Sequence, residues 1–157
     1  MFHRLSIVIL ILTISISATN LVRFNSFNIV KDLDKNIAYQ DSESKLLKME
    51  EAIEYCSNLK IAGLNWKVPT FNELFNIIEQ KANYKTVSKV FTNIESDNWY
   101  LSLTEHNDIE RPFWLIGLAN GEVSFLDRKI ENSFYVKCVA DISNCILDVE
   151  NITIVEK

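Results

Sequence analysis

Three cysteines give this chain its clearest chemical potential: Cys56, Cys138 and Cys145. In an oxidising compartment two of them would form a disulfide, and one would be left over within a monomer. A structural zinc site is not expected, because the thiols lack a C-x2-C pair and only His106 follows the N-terminal segment. Cys145 and His106 together have the residue types of a nucleophile and its base. An odd cysteine and a single histidine meet that description by chance, so we expect no catalysis.

Three carboxylates between residues 97 and 110 could gather around a cation such as calcium. The candidates are Asp97, Asp108 and Glu110. They show no coordination spacing, and scattered loop carboxylates are usually solvated. The sequence therefore predicts no metal and no other cofactor.

The three tryptophans could form a stacking platform for a carbohydrate, or they could fill the core. Burial is the main expectation for Trp66, Trp99 and Trp114, because aromatic side chains dominate core burial in small domains. Trp99 is the best candidate for exposure, since Asn98 and Tyr100 beside it could add polar contacts to a ligand.

Residues 104–112 are nearly all polar and lie between two apolar strand candidates, which predicts an exposed loop. Binding groups concentrate on such loops. An ordinary solvated connection is the alternative. We expect a ligand face on this side of the domain, formed by Trp99, Tyr100, His106, Asp108, Glu110 and Arg111.

The first residues have the composition of a secretory signal. A short positive start precedes an apolar run from Leu5 to Ile16, and small residues follow, with Ser17 or Ala18 at the expected cleavage point. The run is short of the about 20 apolar residues that a bilayer span needs. We therefore predict a signal peptide over residues 1–18 and a periplasmic or extracellular protein without a stable membrane span. A retained N-terminal anchor is the alternative.

The rest of the chain is long enough for one domain, predicted over residues 19–140. Residues 141–157 form a C-terminal extension, in which residues 152–155 could be an edge strand or part of a tail. The formal net charge is −5, and the chain has no basic arm. Nucleic acid is not an expected partner, because phosphate binding needs clustered lysine and arginine.

Apolar periodicity predicts two helices. The first covers residues 46–60, and Gly63 beyond it suits a left-handed C-terminal cap. Its apolar face contains Met49, Ala52, Ile53, Cys56 and Leu59. The second covers residues 71–81 and begins at a capping box, in which Thr70 and Glu73 satisfy each other's backbone amides.

Alternating apolar residues predict strands elsewhere. Residues 29–30 and 37–39 flank a turn at residues 34–36. After residue 90 the pattern predicts one strand at residues 99–104 and a last strand at residues 134–140.

Asn120 and Gly121 lie between two apolar runs, a strong hairpin signal because both residues tolerate positive φ. Counting outward from a two-residue turn pairs Leu118 with Val123. Two helices followed by a run of strands predict an α+β fold, with the two helices packed on a small antiparallel sheet.

The order of these motifs resembles the Lcl C-terminal-domain family, whose fold is related to the C-type lectin fold. The family pattern runs as an early "GLxWQD", then "AxxYCxxL", "DWRLPTxxEL", "YWSST", "NGxV" and "VRCV". The matching segments lie between about residues 23 and 140 and are residues 36–41, 52–59, 65–74, 98–102, 114–123 and 136–139. Tyr39 and Lys67 replace a tryptophan and an arginine of the pattern. Asn36 replaces a glycine and keeps its tolerance of positive φ.

The resemblance implies a C-type-lectin-like fold with a disulfide from the first helix to the last strand, here Cys56–Cys138. Cys138–Cys145 is the rival pairing and would close a much shorter loop. Family members are typically exported bacterial proteins whose biochemical role is generally unassigned. We expect a non-catalytic binding module for a surface glycan or an envelope protein. The alternatives are a structural subunit of a cell-envelope assembly and an enzyme that uses His106.

Overall fold

A computed structural model describes residues 20–80, 85–95, 98–105, 113–126, 132–143 and 152–153. Within these ranges the chain forms two α-helices and thirteen β-strands. The helices are α1 (Met49–Asn58) and α2 (Phe71–Phe75). The strands are β1 (Leu21–Phe24), β2 (Ile29–Asp32), β3 (Ile37–Gln40), β4 (Lys45–Leu47), β5 (Trp66–Lys67), β6 (Ile78–Gln80), β7 (Lys85–Val87), β8 (Trp99–Glu105), β9 (Phe113–Gly117), β10 (Glu122–Leu126), β11 (Phe134–Val136), β12 (Val139–Asp141) and β13 (Ile152–Thr153).

The strands form three sheets. Sheet A has the order β13-β1-β2-β3-β12-β5, sheet B has the order β10-β9-β8-β11-β4, and β6 pairs with β7. All pairs are antiparallel except β8 with β11. The α+β class and its mainly antiparallel sheets are confirmed, although the strand content is larger than one small sheet.

Sheet B separates two hydrophobic cores, because successive side chains of a strand point to opposite faces. Leu101 of β8 packs on the side of α1, with Ala52 and Cys56, in what we call the α1 core. Tyr100, its neighbour in the chain, packs on the side of α2, with Leu74, in the α2 core. The two cores therefore cover both faces of β8, which lies in the middle of sheet B.

Helix α1 forms as predicted, two to three residues shorter at each end. Glu50 and Glu51 lie in its first turn, where their negative charges interact favourably with the positive end of the helix dipole. Ala52 and Cys56 are fully buried, as their i, i+4 spacing predicts. Ile53 was expected on the same face, but it is 46% exposed.

Gly63 does not cap α1 as predicted, although it has the predicted left-handed conformation. The helix ends at Asn58, where the amide of Leu59 donates to the carbonyl of Cys56. Gly63 does have positive φ, at 66°, but it lies in the separate 3-10 turn Ile61–Gly63.

Helix α2 begins at the predicted capping box. The Thr70 hydroxyl accepts from the Glu73 amide at 3.3 Å, and the Glu73 carboxylate accepts from the Thr70 amide at 2.7 Å. The helix ends after Phe75, however, and not at residue 81. Ile77 and Ile78 are β-branched and favour strand. Here β6 begins at Ile78 and pairs with β7, which overrides the helical periodicity.

The hairpin between β9 and β10 has a four-residue loop, not the predicted two-residue turn. Gly117 lies opposite Glu122, so Leu118 belongs to the loop, where it is fully buried. Gly121 has a φ of 68°, and its amide donates to the Gly117 carbonyl. A Cβ at Gly117 would lie 2.6 Å from Asn120 Oδ1, so the exposed Asn120 side chain would have to move to accommodate it. The register moves by two residues, which leaves every side chain on its predicted face.

The predicted last strand is two strands in different sheets. Strand β11 belongs to sheet B and β12 to sheet A, and Lys137 and Cys138 join them. Near the start of the domain, the two strands predicted around a turn form as β2 and β3. Asn36 in that turn has a φ of 54°. Ile152–Thr153 pairs with β1 as an edge strand of sheet A.

Candidate functional site

The disulfide joins Cys56 of α1 to Cys138 in the link between β11 and β12. The two Cα atoms are 5.6 Å apart, and both residues are fully buried. The pairing implied by the resemblance is confirmed. Cys145 lies outside the described residues. A buried disulfide fits a protein of an oxidising, extracytoplasmic compartment.

No helix in the described part of the chain is long and apolar enough to span a membrane. The signal peptide predicted over residues 1–18 lies outside that part.

Four of the six predicted ligand residues, His106, Asp108, Glu110 and Arg111, lie outside the described ranges. Of the other two, Trp99 is half-buried against the α1 core.

Tyr100 is fully buried, so its predicted place on a ligand surface is wrong. Its hydroxyl accepts from the Glu95 amide at 2.8 Å and lies 3.4 Å from the Ser44 hydroxyl. Burial raises the pKa of this phenol. The α2 core explains the error, because it covers the face of β8 on which Tyr100 lies.

A platform of three tryptophans does not form. Trp66 is buried, as expected, and its indole donates to the carbonyl of Ile61 at 3.0 Å. Trp99 lies opposite Gly117, whereas Trp114 is an odd number of residues from Gly117 on β9. Trp99 and Trp114 therefore lie on opposite faces of sheet B.

A different aromatic surface forms around Trp114. Its ring centroid lies 5.5 Å from that of Phe71 and 6.3 Å from that of Phe125. Phe71 in turn stacks on Phe75, with centroids 5.4 Å apart. Val123 lies two residues before Phe125 on β10 and shares its face. We call Phe71, Phe75, Trp114, Val123 and Phe125 the aromatic face.

The architecture explains why this face is partly open. Phe125 lies opposite Trp114, and Val123 lies opposite Ile116, so all four point to the side of sheet B that carries α2. Ile116 is fully buried beneath α2. Strand β10 is the edge of the sheet, and the five-residue α2 is too short to cover it. Val123 and Phe125 consequently remain 40% and 37% exposed.

A buried polar cluster lies elsewhere, where β3 ends and β11 passes into β12. We call Arg23, Asp41, Thr92, Asn93 and Lys137 the polar cluster. Asp41 is fully buried, pairs with Arg23, and lies 3.6 Å from the ammonium of Lys137. It also accepts from the amides of Thr92 and Asn93 at 3.1 and 3.2 Å. One carboxylate thus serves two cations and two backbone amides.

Lys137 is 1% exposed, an unusual environment for an ammonium group. It donates to the carbonyls of Gln40 at 3.0 Å and Asn93 at 2.9 Å. Burial, and to a lesser extent the charge of Arg23, lowers the pKa of Lys137 to about 7. Asp41 and the two carbonyls act in the opposite direction, since they favour the charged amine.

The sequence patterns predicted neither the polar cluster nor the aromatic face. Lys137 carried a signal, because it is a single cation inside the apolar run of residues 136–139. Asp41 closes the motif at residues 36–41, and nothing in that motif indicates a buried ion pair. The aromatic face had no local signal, because its members come from α2, β9 and β10.

A shallow acidic pocket of about 380 Å³ lies on the outer side of α1. Its lining residues are Glu51, Glu54, Tyr55, Asn58 and Leu59. The Tyr55 hydroxyl accepts from the Gln40 side chain at 2.8 Å, so this ring is fixed from within the fold. The pocket shares no residue with the aromatic face or the polar cluster.

No curated protein and no solved structure matches this chain significantly. A family model does match, that of the Lcl C-terminal domain, over residues 28–140. The match includes α1, α2, the disulfide, the aromatic face, and both Asp41 and Lys137 of the polar cluster. Since it covers well over half of the sequence, this chain belongs to the Lcl C-terminal domain family.

Proposed function

We propose that this protein is an exported, non-catalytic binding module with a C-type-lectin-like fold, and that the aromatic face contacts its ligand. One observation carries the proposal: a continuous row of four rings crosses from α2 to the edge of sheet B, with its outer end exposed. Exposed apolar surface of this kind marks interaction sites more often than scattered single residues do.

A surface glycan is the ligand class that we favour. Sugar rings present flat C–H faces that pack on aromatic rings, while their hydroxyls stay in contact with water or polar side chains. Trp114 and Phe125 are held by ring contacts before any ligand arrives. Binding would therefore lose little side-chain entropy. The loop residues His106, Asp108, Glu110 and Arg111 remain predicted polar contributors.

A glycan array and a panel of cell-envelope proteins would first identify a ligand. Phe125→Ala should then weaken binding about tenfold, in the range of a central aromatic contact. The matched control is Leu46→Ala, which removes a 56% exposed apolar side chain from β4, the opposite edge of sheet B. Both variants should stay folded. Equal binding by wild type and Phe125→Ala would contradict the assignment of the aromatic face.

A structural subunit of an envelope assembly is the second candidate. Within the described residues β10 has β9 as its one neighbour, so its outer edge offers backbone groups for strand pairing. Exposed Val123 and Phe125 would add apolar contact. Binding to an envelope protein, without binding to any glycan, would favour this candidate. Truncation after residue 141 would not separate the two, because it also removes β13 from sheet A.

A further inference from the structure

Residues 91–95, which we call the strap, lie across the α2 core between β7 and β8. Phe91 is buried and meets the ring of Tyr39 edge-on, with centroids 5.8 Å apart. Ile94 packs against the same core. The amide of Glu95 donates to the buried hydroxyl of Tyr100. The strap thus closes one side of the α2 core.

Two members of the polar cluster, Asp41 and Lys137, bind the middle of the strap. Asp41 accepts from the amide and the hydroxyl of Thr92 and from the amide of Asn93. Lys137 donates to the carbonyl of Asn93 at 2.9 Å. The side chains of Thr92 and Asn93 are themselves exposed. The strap is therefore fixed from beneath by two buried ionisable groups and faces solvent above.

The charges around Lys137 do not balance when its amine is protonated. Among the described residues, β1 contributes the cation Arg23 and the end of β3 contributes the single anion Asp41. The strap contributes the Asn93 carbonyl and the ring of Phe91, 5.6 Å from the ammonium. From α1, the Tyr55 hydroxyl accepts from the Gln40 side chain. The backbone carbonyl of Gln40 accepts from Lys137. The buried cluster carries one net positive charge with Lys137 protonated and none with Lys137 neutral.

We propose that the strap is a proton-gated latch, which opens more readily when Lys137 is protonated. Burying an uncompensated charge is unfavourable, and opening gives the ammonium access to water. The open state consequently binds the proton more tightly than the closed state. The depressed pKa of Lys137, about 7, agrees with this imbalance.

Proton binding to Lys137 determines how strongly strap opening depends on pH and over which pH range. One proton taken up on opening changes the opening equilibrium about tenfold per pH unit. The change occurs between the closed-state pKa of about 7 and the ordinary lysine value of 10.5. Opening should therefore increase as the pH falls from 9 to 8 and level off near 7.

Native-state hydrogen exchange of the Thr92 and Asn93 amides tests the latch at pH 7, 8 and 9. After correction for intrinsic exchange rates, their opening constants should rise about tenfold between pH 9 and pH 8. They should also exceed those of Leu103 and Ile142, whose amides donate to Pro69 and Asn36 away from the cluster. Strap amides that exchange only as fast as these references would show that the strap opens with the whole domain, and would overturn the proposal.

Two variants separate charge from packing. Lys137→Met should retain strong protection at all three pH values and lose the tenfold dependence. Lys137→Arg stays charged throughout, so it should show weak protection without pH dependence. A dependence that persists in Lys137→Met would assign the effect to another group. If the variants do not fold, NMR titration of the wild-type Lys137 side chain decides, because its midpoint must coincide with the pH at which strap opening levels off.

Discussion

Asp41 is the residue on which the polar cluster depends most, because among the described residues it is the one carboxylate that pairs with both Arg23 and Lys137. Asp41→Asn would remove the carboxylate that Arg23 and Lys137 share. We expect a loss of about 3–5 kcal/mol in the free energy of unfolding, the usual effect of breaking a buried ion pair on one side.

Urea unfolding at pH 7 measures this loss. The control Asp34→Asn alters an exposed carboxylate of the β2–β3 turn and should change stability by no more than about 0.5 kcal/mol. Equal unfolding midpoints for Asp41→Asn and Asp34→Asn would mean that the cluster contributes little.

Lys137 makes the stability of the fold depend on pH. Its folded pKa of about 7 lies below the ordinary value of 10.5. Between these values the unfolded chain binds more protons than the folded one, so stability rises with pH. The penalty is fully present below about pH 7 and diminishes as the pH increases.

We therefore expect the urea midpoint of the wild type to increase from pH 7 to pH 9, and Lys137→Met to remove most of this increase. Measurements should stop near pH 9. Burial raises the pKa values of Tyr39 and Tyr100, so tyrosine ionisation destabilises the fold at higher pH. The same increase in wild type and Lys137→Met would rule out Lys137 as its source.

At the scale of elements, helix α2 depends on its capping box more than a long helix would. It has five residues, and an isolated helix of that length is not stable in water. Thr70→Ala removes the acceptor of the Glu73 amide and should cost about 1 kcal/mol of stability. Thr70→Ser keeps the hydroxyl and should stay close to wild type. Thermal unfolding compares the three proteins, and a Thr70→Ala midpoint equal to that of Thr70→Ser would refute the capping role.

Local sequence signals predicted the elements whose stabilising contacts are local. The Thr70–Glu73 capping box and the turn at Asn36 are examples, since side chain and backbone meet within a few residues. The length of α2 could not be predicted this way, because β7 decides it by pairing with β6. The last strand divides at Lys137 for a similar reason. Its two halves pair with strands of different sheets that lie far away in the sequence.

Across the whole molecule, two of the family motifs, residues 36–41 and 136–139, meet in space. The Gln40 amide donates to the Cys138 carbonyl at 2.9 Å, and the Gln40 side chain accepts from the Cys138 amide at 3.3 Å. Asp41 and Lys137 continue the same junction on the side of the strap. These motif residues join sheet A to sheet B, so the ordered motifs report the fold. The aromatic face needs three distant elements, and its position could not be read from any one of them.

The disulfide lies at this junction and should stabilise the domain as a whole. It closes a loop with a sequence separation of 82, which corresponds to about 4.5 kcal/mol in the chain-entropy model. The double variant Cys56→Ala/Cys138→Ala should lose stability of that order in urea unfolding. Cys145→Ala is the control, because it should leave the midpoint unchanged if Cys145 pairs with neither residue. Non-reducing peptide mapping of exported wild-type protein checks the pairing directly, and a Cys138–Cys145 peptide would contradict it.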